Sequence, residues 1–121
     1  MGVPDKIIKL ALTGSLDRDH LDAYCSGEGI SADDFYNRIS IHLAKSFIDG
    51  LISFGDADCA MNQIWTFMID DAVKYGDGFT LAEPAYSIYD AFDAGEFIHR
   101  DEQDPVEAFT RPALERILSD A

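Results

Sequence analysis

The longest regular pattern of apolar positions lies between Phe35 and Phe54. Apolar residues recur there every three or four positions, at Phe35, Ile39, Leu43, Phe47, Leu51 and Phe54. This spacing is typical of one buried stripe along an α-helix. A second apolar strip, formed by Ile41, Ile48 and Ile52, predicts that the helix is central and packs on more than one side. Ser31 is predicted to cap its start, and Gly55 to end it in the left-handed conformation.

Two short helices are predicted before this central one. The segment from Asp5 to Leu12 reads as a helix that ends at Thr13-Gly14. Ser15 is then expected to cap a second helix that runs to about Tyr24, with a loop over residues 26–29.

Three further helices are predicted after Gly55. Asp56 is expected to cap a helix whose apolar face includes Trp65, and Pro84 to open the next one. Its inner face is predicted to be Tyr86, Tyr89 and Phe92, with Ala85 and Ile88 beside them. Pro112 is predicted to begin the last helix. Since no alternating strand pattern competes, the expected fold is all-α: a single domain over residues 1–121, a compact bundle of about five to six helices.

The charge of the chain is unusual for an otherwise ordinary globular composition. Of its 121 residues 47% are hydrophobic, but 23 acids against nine Lys and Arg give a net charge of −14. Residues 70–107 alone hold eleven acids and two bases. Such a field repels nucleic-acid phosphates and favours encounter with a basic protein. We therefore expect a basic protein partner and no direct contact with nucleic acid.

The acids of this segment are the predicted partner-binding residues. Tyrosines among carboxylates, as at Tyr24, Tyr36 and Tyr75 at or near the predicted helix ends, have the composition of an interaction hot spot for a basic surface. The predicted partner-binding residues are Asp70, Asp71, Asp90, Asp93, Glu96, Asp101, Glu102 and Asp104.

A metal site at Glu96 and His99 is an alternative reading of the same acids. Their i, i+3 spacing matches the pair that di-iron helical bundles use. Such a bundle needs a second Glu-x-x-His pair, and the chain has none. The prediction is therefore no metal and no cofactor, and the acids are read as a solvated helix edge.

The sequence gives no positive signal for catalysis. It contains neither a glycine-rich phosphate loop nor a nucleophile elbow, so we predict a non-enzymatic protein with no catalytic residues. Cys25 and Cys59 lie 34 positions apart and are expected to be reduced thiols. With no signal-peptide pattern and no membrane span, the expected location is the cytoplasm.

The stretch "HLAKSF" supports a second functional hypothesis. His42, Lys45 and Ser46 resemble the His-x-x-Lys-Gly motif of histidine phosphotransfer domains, with Ser in place of Gly. The resemblance implies a helical bundle in which His42 accepts a phosphoryl group and Lys45 stabilises the added charge.

A further resemblance covers about a quarter of the chain, near its C-terminal end. The stretch "YSIYDAFDAGEFIHRDEQDPVEAFTRP", residues 86–112, is similar to part of small acidic bacterial proteins of unassigned function, some of which are immunity proteins for secreted toxins. The resemblance implies that the acids cover a basic toxin surface. A homodimer is a remaining alternative, in which Leu51, Ile52 and Trp65 face a second copy of the chain.

Overall fold

The computed structural model describes residues 3–75, 81–95 and 104–120. Over these ranges the chain forms six α-helices and one π-helical turn, with no strand, so the all-α prediction is confirmed. The helices are α1 (Val3–Leu12), α2 (Arg18–Glu28), α3 (Ala32–Ile48), α4 (Phe54–Tyr75), α5 (Ala85–Ala94) and α6 (Arg111–Asp120). The π-helical turn (Val106–Thr110) leads directly into α6.

Helix α3 is the centre of the bundle, as its two apolar strips predicted. It packs against α1, α2, α4, α5 and α6. Phe35, Ile39 and Leu43 are fully buried on it, and Phe47 is 5% exposed. The predicted cap is also confirmed, because the Ser31 hydroxyl accepts a hydrogen bond from the Asp34 N–H at 3.1 Å.

The predicted end of this helix at Gly55 is wrong. The helix ends at Ile48, and Gly50 takes the left-handed conformation with a φ of 77°. Ser53, rather than Asp56, caps α4, since its hydroxyl accepts from the Asp56 N–H at 3.1 Å. Phe54, the first residue of α4, packs inward against the ring of Phe47, as the stripe predicted. Leu51, predicted in the same buried stripe, lies in the break between the two helices and is 75% exposed.

The boundaries of α2 also differ from the prediction. Asp17 rather than Ser15 caps the helix, and its carboxylate accepts from the His20 N–H at 3.0 Å. That hydrogen bond lowers the pKa of Asp17. The helix continues through most of the predicted loop at 26–29 and ends at Glu28, followed by Gly29 with a φ of 65°. Glycine disfavours the helical conformation, yet Gly27 lies inside α2, whose end is joined to α3 by the ion pair between Glu28 and Arg38 at 2.9 Å.

The C-terminal segment holds α5 in place through one close contact. The buried Thr110 hydroxyl donates a hydrogen bond to the Ala91 carbonyl oxygen at 2.7 Å. Gly95, just after α5, lies so near that a Cβ atom built on it would be 2.5 Å from the Thr110 Oγ1. The π-helical turn and the end of α5 therefore meet at a point where only glycine fits.

Candidate partner-binding surface

Helix α5 buries a different face from the one that its sequence predicted. Its buried residues are Ala85, Ile88, Ala91 and Phe92. Tyr86 is 39% exposed, so the prediction that it lines the core is wrong, whereas Tyr89 is half-buried and packs against the edge of the core. The two small alanines lie on the buried side of α5, and Tyr86 is left on its outer side.

The two tyrosines pack against Trp65 of α4 and form an aromatic stack. The Trp65 and Tyr89 rings are 4.1 Å apart between centroids and 7° from parallel. The Tyr86 ring lies 5.7 Å from Trp65 at an angle of 26°. Stacked rings of this kind lose little conformational freedom when a partner binds, which is why aromatic residues dominate binding hot spots.

Two carboxylates continue this surface along α5. Asp90 and Asp93 follow Tyr86 and Tyr89 by four residues each, so each acid lies one helical turn beyond a ring. Asp90 is exposed and Asp93 is half-buried. We call the surface formed by Trp65, Tyr86, Tyr89, Asp90 and Asp93 the aromatic–acidic face.

The carboxylates of this face are not neutralised by the described part of the chain. Within residues 3–75, 81–95 and 104–120, no Lys, Arg or His forms an ion pair with Asp90 or Asp93. Arg116 of α6 lines a groove of about 460 Å³ together with Asp90. Within the described ranges, the charges of Asp90 and Asp93 are therefore not balanced by an ion pair.

Neighbouring helices hold α5 in a fixed orientation. The Asn37 side-chain oxygen on α3 accepts a hydrogen bond from the Ala85 N–H at 3.0 Å, which caps the start of α5 from another helix. The Glu83 carboxylate accepts from the Ser87 N–H at 2.9 Å. With Thr110 bonded to Ala91 at the other end, both ends of α5 are anchored.

Asp70 and Asp71, two of the predicted partner-binding residues, lie elsewhere. The Arg18 guanidinium on α2 contacts the Asp70 carboxylate at 3.2 Å and the Asp71 carboxylate at 3.0 Å. The Tyr36 hydroxyl on α3 also donates to Asp71. The two acids therefore occupy the flank of α4 that faces α2 and α3, whereas Trp65 occupies the flank that faces α5.

This cluster of Arg18, Tyr36 and Asp71 links three helices. Burial raises the pKa of Tyr36, and its hydrogen bond to the Asp71 carboxylate raises it further. Burial alone would lower the pKa of Arg18, but the hydrogen bonds and charges of Asp71 and Tyr36 together raise it. The Asp71 charge thus stabilises the bundle internally.

The other predicted partner-binding residues do not join the aromatic–acidic face within the described structure. Asp104 is exposed and accepts a hydrogen bond from the Val106 N–H at 3.0 Å, just before the π-helical turn. Glu96, Asp101 and Glu102 lie outside the described residues, as does His99 of the alternative metal site. Among the side chains that the structure does describe, no three potential metal ligands come together.

Of the three residues of the phosphotransfer motif, His42 and Lys45 lie on the polar side of α3, whereas Ser46 is buried. His42 is half-buried and Lys45 is exposed. One turn earlier, Arg38 forms an ion pair with Glu28 of α2 at 2.9 Å. The phosphotransfer hypothesis, which is based on the His42, Lys45 and Ser46 motif, therefore stays a prediction.

The cysteines are not paired with each other. Cys59 is exposed at the start of α4, and Cys25 is half-buried with its sulfur 3.7 Å from the Ser31 carbonyl oxygen. Burial raises the pKa of the Cys25 thiol, which lowers its fraction of reactive thiolate near neutral pH.

Comparison with known proteins gives no family for this chain. No family model matches the sequence, and no curated protein or solved structure shows significant similarity to it. The helices in the described ranges are all too short or too polar to cross a membrane. Any functional conclusion therefore depends on the surface itself.

Proposed function

We propose that this protein is a non-enzymatic interaction protein that binds a basic protein partner through the aromatic–acidic face. The observation that carries the proposal is the Trp65–Tyr89 stack, which is anchored in the bundle and bordered by Asp90 and Asp93. A rigid aromatic centre with charged residues at its edge is the usual anatomy of a binding surface.

The net charge of −14 supports a basic partner over other ligands. A negative field accelerates encounter with a positive surface and suppresses binding to acidic ones. A basic partner would also relieve the repulsion among the acids of residues 70–107. Toxin immunity is the most concrete form of this function, in which the partner is a basic toxin covered by α5.

The proposal is tested by capturing partners from an extract of the source organism with three forms of the protein. The wild type is compared with a face variant, Asp90→Asn with Asp93→Asn. A control variant, Asp22→Asn with Glu115→Gln, removes the same charge from exposed positions on α2 and α6. We expect the wild type and the control to capture the same basic protein, and the face variant to bind it about tenfold more weakly.

Salt dependence provides the second measurement on the captured protein. Raising the ionic strength from about 0.01 M to about 1 M shortens the screening length from about 30 Å to about 3 Å. The Kd should therefore rise steeply over this range. A captured partner that is acidic, or whose affinity is indifferent both to salt and to the face variant, would refute the proposal. A toxin gene beside the gene for this protein would favour the immunity form.

A further inference from the structure

Arg18 of this protein is bound by an aromatic ring and by two carboxylates, all three on the same helix. The Arg18 guanidinium lies over the Phe67 ring, 5.2 Å from its centroid. The same guanidinium contacts Asp70 and Asp71, three and four residues after Phe67 on α4. A guanidinium can satisfy both contacts at once, because its flat face stacks on the ring and its N–H donors point outward in its plane.

A second arginine in the protein uses the same combination. Arg111 lies 5.1 Å from the Phe47 ring centroid and also pairs with the Glu107 carboxylate at 3.0 Å. Ring and carboxylate together are thus a recurrent arginine site in this fold.

The aromatic–acidic face repeats the ring-to-acid spacing of the Arg18 site on the surface. Tyr86 is followed four residues later by Asp90, as Phe67 is followed by Asp71. Helical side chains lean toward the helix N-terminus, which favours an approach of the Asp90 carboxylate to the Tyr86 ring one turn earlier. Asp90 also lines the groove that contains Arg116. Trp65 stacks against one side of the Tyr86 ring. Tyr86 as a whole remains 39% exposed, so part of the side chain is open to a ligand.

From this correspondence we propose that Tyr86 and Asp90 bind an arginine side chain of the partner. The inference rests on the proposed function, of which it specifies the partner chemistry. The guanidinium stacks on the Tyr86 ring and donates hydrogen bonds to the Asp90 carboxylate. Lysine carries the same charge but concentrates it in a strongly hydrated ammonium without a planar face, so it loses the stacking part of the interaction.

The test uses two peptides of equal length and charge, one made of arginine and one of lysine. Trp65 is the only tryptophan in the chain, so its fluorescence reports binding at this face. We expect the arginine peptide to bind about three- to tenfold more tightly than the lysine peptide. In Tyr86→Leu this preference should disappear, whereas Tyr86→Phe, which keeps the ring, should retain it.

The outcomes separate this inference from the proposed function. If both peptides bind equally and both bind more weakly to the Asp90→Asn, Asp93→Asn variant, the face selects charge alone and the arginine inference is wrong. If the arginine preference persists in Tyr86→Leu, arginine is recognised elsewhere and the inference is also wrong. If neither peptide binds at low salt, the arginine inference and the proposed basic-partner surface both fail. Circular dichroism of each variant verifies that it is folded.

Discussion

Replacing Gly95 by alanine tests how α5 is fixed to the C-terminal segment. The backbone at Gly95 has a φ of −76° and a ψ of −12°, which alanine adopts without strain. The added Cβ, however, would lie 2.5 Å from the Thr110 Oγ1 and 2.8 Å from the Phe54 ring. Any destabilisation therefore comes from packing rather than from the backbone.

The size of the destabilisation depends on which side chains must move to admit the new methyl group. Forcing an extra methyl group into a close-packed site costs about 1–3 kcal/mol. If Thr110 turns away, its hydrogen bond to the Ala91 carbonyl oxygen is lost as well, which costs about 1 kcal/mol more. We expect a loss of about 2–4 kcal/mol in the free energy of unfolding, and a Tm lower by about 10 °C for a domain of this size.

Gly27→Ala is the matched control for this substitution. Gly27 lies within α2, and a Cβ on it would meet no other atom within 4 Å. Because alanine is the better helix former, this variant should gain about 0.5–1 kcal/mol. Urea unfolding, followed by circular dichroism and by Trp65 fluorescence, measures both variants. If Gly95→Ala were as stable as the wild type, the close contact with Thr110 would be refuted.

Three further predictions concern the bundle and its thiols. Tyr36→Phe should lower the free energy of unfolding by about 1.5–3 kcal/mol, because it removes a charge-assisted hydrogen bond to Asp71. Since the pKa of Tyr36 is raised in the folded state, the unfolded chain releases this proton first as the pH passes the ordinary value of 10.0, and folding stability falls. In urea titrations, the Phe variant should lose less stability than the wild type between about pH 8 and pH 11, and an equal loss would contradict the raised pKa of Tyr36. Ser31→Ala should cost about 1 kcal/mol through the loss of the α3 cap, and an unchanged urea midpoint would count against that cap. Iodoacetamide should modify Cys59 at least about tenfold faster than Cys25, as read by peptide mass spectrometry, and equal rates would show that Cys25 is not protected.

The sequence was sufficient to predict the fold class and the central helix. The three- and four-residue spacing from Phe35 onward is a direct consequence of one buried helical stripe, and the Ser31 cap is a local signal. The break after Ile48 was not predictable from periodicity alone. Phe54 continues the apolar spacing from a new helix, so the pattern runs on while the backbone turns at Gly50.

The candidate site was only partly predictable, for a related reason. The large aromatic residues of α5 predict its inner face at Tyr86, Tyr89 and Phe92, because burial of large apolar groups usually contributes most to stability. In the structure the helix is buried through its alanines, with Ile88 and Phe92, and Tyr86 is left outside. Small residues at 85 and 91 were the signal for close helix packing. The pairing of Arg18 with Asp71 depends on residues 53 positions apart and has no local signal.

Hydrogen–deuterium exchange of the complex with the captured partner tests the central proposal most directly, because it maps where the partner binds. The account predicts slower amide exchange in α5 and in the part of α4 around Trp65, with α1 and α2 unchanged. Protection centred on α1 and α2, with α5 exchanging as in the free protein, would contradict it.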